Sequence, residues 1–269
     1  MSATLKTWQI RVLWANLFAQ AGIVFTGSLV RVTSSGLGCP TWPECVPGSI
    51  LPTSSQTQSW HKFVEFGNRL LTIVLVVVAI ATIVAMIQYN SARVRNGLGE
   101  YQLLNKLAVA TFGGIFAQAI LGGITVLTGL NPLTVAAHFL LSTGLIAIAA
   151  LLLVRATESN KSEATVLAKP VRYLIQAITA LTFIIVVLGT LVTGTGPHAG
   201  DSADVPRLRL DPVTMTHIHA TAVQLLFGLL IGLIVVVLAN ESPRIIVRRT
   251  VTVLIVGLSQ GAIGYVQYF

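Results

Sequence analysis

RLLTIVLVVVAIATIVAMIQ, residues 69–88, runs for twenty residues with a single charge, the arginine at its start. A helix rises 1.5 Å per residue, so a run of this length covers about 30 Å, the hydrocarbon thickness of a bilayer. The apolar residues are continuous rather than alternating, which argues against a barrel strand. Six more runs of the same kind fall near 11–30, 105–127, 133–154, 171–193, 213–238 and 247–268. Hydrophobic residues make up 54% of the 269 and charged residues 10%, where a soluble domain carries about 25% charged. The expected class is all-α, a polytopic membrane protein with seven transmembrane helices. The first run leads into an Arg-containing loop, not a small-residue cleavage site, so no cleavable signal peptide is expected.

Lysine and arginine then orient the chain. The N-terminus and the loops after spans two, four and six hold twelve of them, Lys161 included, whereas the other side holds Arg31, Lys62, Arg69, Arg207 and Arg209. Twelve against five is a positive-inside bias that puts the N-terminus in the cytoplasm. The net charge of +8 is therefore topology, and a nucleic-acid partner is not expected.

The chain also resembles itself. GSLVRVT (27–33) matches GTLVTGT (189–195), and QAILGGI (118–124) matches QGAIGYV (260–266). Each pair lies four spans apart, so the unit is a four-helix bundle, and two tandem copies share one orientation. Gln118 precedes His138 by twenty residues, and the counterpart of that histidine would fall near position 280. The second copy is thus expected to be incomplete, through truncation before an eighth helix.

Rare polar residues gather at one depth. Pro132 suits the first turn of span four, and Asp211-Pro212 reads as an N-cap and first turn for span six. His138 then lies about 9 Å below the outer surface, with His217 and His219 at about 7–10 Å. Glu65 and Asn68 share one helix face at the outer end of span two. Ionisable groups at such depth usually face a bundle interior, and bundle histidines commonly hold a metal or haem. A hydrogen bond to a neighbouring helix is the plainer role for each taken singly. His61 reads as an interface residue. His198 reads as a turn residue, with a haem propionate as its alternative partner.

Cys39 and Cys45 are the only cysteines, and the orientation places them outside, where disulfides persist. A bond across five intervening residues is sterically feasible. A loop staple and a redox-active or substrate-handling pair both remain open.

At these residues the chain resembles the haem A synthase family, over essentially its whole length. SGLGCPTWPEC (35–45) is similar to that family's outer cysteine motif, and GTGPHAGD (194–201) and LDPVTMTHIHA (210–220) are similar to other family segments. The resemblance implies oxidation of a haem O methyl group to a formyl group, giving haem A for cytochrome oxidase at the outer face of the membrane. It implies that residues 1–160 hold the substrate haem beneath the cysteine loop. Residues 161–269 would hold a haem b cofactor on three of an expected four helices. His138 would be an iron ligand of the substrate haem and His219 of haem b, while Glu65 would take protons or stabilise positive charge. Arg69 would meet a propionate or snorkel to the headgroups. The family pattern Glu-x-x-His-Arg reads Glu65-Phe-Gly-Asn68-Arg69 here, so Asn68 stands where a second histidine ligand is expected. Haem O synthase, cytochrome oxidase assembly factors and the lipid bilayer are the implied partners, and a homo-oligomer stays open. The rival readings are a b-type cytochrome that only passes electrons and, behind it, a secondary transporter.

Overall fold

The computed structural model describes residues 4–54, 56–158, 167–198, 200–201, 205–240 and 244–268. Lys161 and the expected boundary at 160/161 lie outside them. Seven helices follow in order: α1 (Thr7–Val32), α2 (His61–Arg95), α3 (Gln102–Leu127), α4 (Pro132–Glu158), α5 (Lys169–Thr195), α6 (Pro212–Ala239) and α7 (Arg244–Tyr268). All seven are long and apolar enough to cross a membrane, and no strand occurs among the described residues. The protein is an all-α, multi-pass membrane protein.

The helices start where the chemistry directs. Asp211 caps α6 by accepting the Thr214 N–H at 2.7 Å, with Pro212 in the first turn. Asn131 plays the same part before Pro132, its Oδ1 accepting the Leu133 N–H at 3.0 Å. Helix α2 differs from expectation: it runs from His61 to Arg95, well past both ends of the apolar run. Charged and polar side chains end a greasy stretch but not a helix, because Lys, Glu and Arg are good helix formers. His61, Glu65 and Asn68 are therefore all residues of α2 itself.

The chain divides into two compact units. In the first, α1 packs on α2 and α4, α2 on α3, and α3 on α4, closing a four-helix ring. The described residues of segment 196–208 belong to it. In the second, α6 packs between α5 and α7. Leu13, Met86, Tyr89, Leu104 and Leu152 anchor an apolar cluster at the end of the first unit away from the cysteines. Leu75, Ala79 and Ile115 anchor another nearer them. Many large apolar side chains, Phe18, Phe25 and Val77 among them, stay exposed, as lipid-facing residues must.

Two contacts set the register of α1 against α2. The Gln9 side chain donates to the Ala85 carbonyl at 3.0 Å, and Thr26 Oγ1 donates to Asn68 Oδ1 at 2.6 Å. Asn90 Nδ2 donates to Asn105 Oδ1 at 2.9 Å between α2 and α3. Gln118 Nε2 donates to the His138 carbonyl at 3.0 Å between α3 and α4. Side-chain amides thus fasten neighbouring helices where apolar packing alone would leave them free to slide.

Candidate haem site

The cysteine loop sits on the end of the first unit by way of one ion pair. Glu65 is buried and Arg69 half-buried, and they meet one helical turn apart, Arg69 Nη2 to Glu65 Oε1 at 2.5 Å. Glu65 Oε2 accepts the Cys39 N–H at 2.5 Å. The guanidinium donates onward to the carbonyls of Cys39 (2.7 Å), Thr41 (2.9 Å) and Glu44 (3.3 Å). All the donors of Arg69 are thus directed at Glu65 and the loop. Cys39 and Cys45 form a disulfide, and both are fully buried.

The loop fits because glycines let it approach. A Cβ on Gly38 would sit 2.6 Å from the His61 carbonyl oxygen, and one on Gly123 would sit 2.5 Å from the Trp42 ring. Trp42 thus lies flat on α3, one residue beyond the glycine that faces His138. Ser35 is buried, and its Oγ pairs with His61 Nδ1 at 2.9 Å, which makes His61 a fixture of the loop. Segment 196–208 joins the same end: Gly36 N–H donates to Gly200 O at 2.7 Å, Leu37 N–H to Asp201 Oδ2 at 3.0 Å. Arg31 Nε donates to the His198 carbonyl at 2.8 Å. The His198 ring itself is exposed.

His138 and His219 share one local geometry, each inside its own unit. Both are half-buried, while His217 is exposed. Each ring lies against a glycine of a neighbouring helix. A Cβ on Gly122 would be 3.0 Å from His138 Cε1, and one on Gly189 3.4 Å from His219 Cε1. Nδ1 of each ring is buried and makes no hydrogen bond, although the Ile185 carbonyl approaches His219. No three His, Cys, Asp or Glu side chains gather as a metal site among the described residues. A metal at either ring would therefore bring most of its ligands with it, as iron does in a porphyrin. Two half-buried imidazoles, each given room by a glycine, fit that group.

Asn68 belongs to the same scheme. The nearest atom to a Cβ on Gly27 is Asn68 Nδ2, at 4.0 Å, and Gly27 is the repeat counterpart of Gly189. Asn68 in the first unit thus stands where His219 stands in the second, against the matching glycine. The partner glycines were missed as site residues. The signal was present, because Gly27, Gly189 and Gly122 all lie in the quoted repeat segments.

These observations meet the comparisons with known proteins. A family described as "Cytochrome oxidase assembly protein" (COX15-CtaA) matches residues 10–204. The chain belongs to this family. It is 31% identical to the heme A synthase of Geobacillus thermodenitrificans over 144 residues, 53% of this chain and 41% of that protein. It is 31% identical to the heme A synthase of Bacillus licheniformis over 202 residues, 72% of this chain and 60% of that protein. The matches thus cover about two fifths to three fifths of those relatives' lengths. The family match takes in most of the first unit with its cysteine loop, and α5 of the second.

Proposed function

We propose that the protein is a haem A synthase, oxidising a methyl group of haem O to the formyl group of haem A. The observation that carries the reading is the pair of glycine-backed histidines, His138 and His219, in a chain that belongs to this family. His138 presents its imidazole to the iron of the substrate haem in the first unit. His219 would hold a haem b cofactor in the second, where that group would supply one-electron chemistry. The cysteine end faces the extracytoplasmic side, a reading the distribution of lysine and arginine supports.

The chain's own residues then divide the work. Gln118 sets His138 by donating to its backbone carbonyl, and it also donates to Ser142 Oγ. Arg69 and Glu65 hold the cysteine loop over the end of the unit, which keeps bulk water from the substrate. Glu65 is the one buried carboxylate among the described residues, and it takes the proton the reaction releases. Three N–H groups, one from Cys39 and two from Arg69, fix the position of its carboxylate. Asn68 is tied to Thr26 and supplies no imidazole, so His138 alone would hold the substrate.

Haem loading followed by absorbance tests the assignment. The wild-type chain is expected to bind two haems, with His138→Ala and His219→Ala each losing one and keeping the other. A b-type cytochrome that only passes electrons would bind haem but return it chemically unchanged. Full loading in both variants would overturn the ligand assignment.

A further inference from the structure

The middle of the first unit contains polar atoms with nothing to bond. Gln20 and Asn16, one turn apart on α1, are 3% and 1% exposed, and Gln20 Nε2 and Asn16 Nδ2 have no partner. Across the unit on α3, Gln118 Oε1 is likewise buried and unpartnered. Its orientation is not arbitrary. The other end of that amide points at the His138 carbonyl, which can only accept, so that end must be the NH2 group and the free atom the oxygen. An orphaned amide in an apolar interior is costly, and this unit holds several.

The orphans are complementary. The α1–α2 register places Gln20 opposite Val74 and Leu75. The α2–α3 register places Leu75 level with residues 116–120, Gln118 among them. Packing agrees, since Ala19 and Ile23 of α1, Leu75 of α2 and Ile115 of α3 share one cluster. A buried donor and a buried acceptor therefore stand at one level without pairing. A single O–H satisfies both, since its oxygen accepts from one amide while its hydrogen is donated to the other.

We propose that Gln20 Nε2 and Gln118 Oε1 form a subsite for a hydroxyl group. The hydroxyl comes from the alcohol on the farnesyl-bearing substituent of haem O or from an internal water. The substrate alcohol fits the depth. Gln118 lies a turn farther from the cysteine end than Gly122, which faces the His138 ring, and Gln20 is level with it. A haem whose propionate edge faces outer water turns its opposite, substituted edge that way. The subsite makes Gln20 a specificity residue, because haem B lacks this alcohol. The inference rests on the first unit being the substrate site.

The test titrates haem O and haem B, by absorbance, into the full chain carrying His219→Ala, with and without Gln20→Met or Gln20→Leu. Both substitutions replace the amide by an apolar side chain of similar size, and Gln20 is not a ligand. The expected result is weaker haem O binding, by about two- to tenfold, the span of one neutral hydrogen bond, with haem B affinity unchanged. Thermal unfolding of the haem-free protein separates the two sources. An amide that waits for substrate gains nothing before binding, so the variants should match or exceed the parent in stability. Loss of stability with an unchanged haem O to haem B ratio would assign the O–H to water and overturn the substrate source. Unchanged ratio and unchanged stability would overturn the subsite. No binding of either haem to the parent would instead overturn the reading of the first unit, and the substrate source with it.

Discussion

Removing the Glu65 carboxylate should loosen the cysteine loop by an amount that can be worked out beforehand. In Glu65→Ala the Cys39 N–H loses its acceptor and Arg69 its only carboxylate, although the guanidinium keeps three loop carbonyls. Hydrogen bonds to charged groups are worth about 1.5–3 kcal/mol each. Arg69 remains about a fifth exposed, with 21% of its side chain accessible, so the lower end applies and the total is about 3 kcal/mol. The disulfide is fully buried, so a reductant reaches it only when the loop opens. A cost of about 3 kcal/mol raises the open fraction about a hundredfold. Reduction by a water-soluble thiol, followed by alkylation and mass measurement, should therefore be about a hundredfold faster in Glu65→Ala. Glu65→Gln keeps an oxygen for the Cys39 N–H and loses only the charge, so its rate should rise about tenfold. Rates within twofold of wild type in both variants would refute the idea that this ion pair holds the loop.

Other outcomes follow from the same contacts. Gly123→Ala drives a methyl into Trp42 and should destabilise by about 1–3 kcal/mol. Gly113→Ala on the same helix meets nothing within 4 Å and should stabilise by about 0.5–1 kcal/mol; thermal unfolding in detergent compares them. Asn68→His places an imidazole where the repeat has one, and haem loaded into the first unit should change to a low-spin, two-histidine absorbance spectrum. An unchanged spectrum would show that Asn68 does not face the haem. The Thr214 hydrogen bonds hold the exposed Asp211 carboxyl below its ordinary range. A depressed value stabilises α6 above the unfolded pKa of about 3.9 and is lost as pH falls below it. The acid limb of the unfolding curve should flatten in Asp211→Asn, which keeps the cap without the titration.

The sequence disclosed the helices because lipid imposes one rule on every span, and the rule is written in hydropathy. It disclosed less of their ends. His61 reads as an interface residue because the apolar run begins only at Arg69, yet the backbone is already helical from His61 onward. The caps at Asp211 and Asn131 were legible because proline and a short polar side chain leave few alternatives. Arg69 was harder. Periodicity places it beside Glu65, but only the folded cysteine loop supplies the carbonyls that occupy its guanidinium. Gln20 and Gln118 carry no local signal of a shared level, since that depends on the register of three helix interfaces. The glycines behind His138 and His219 could have been found from the repeat, which preserves a small residue where a ring needs room.

The central claim is that this chain converts one haem into another. The direct test expresses it in cells supplied with haem O, then extracts the haems and identifies them by chromatography and mass. A species with the mass of haem A, absent when His138→Ala replaces the wild-type chain, is the predicted result. Recovery of only haem O and haem b from a folded, haem-loaded protein would contradict it.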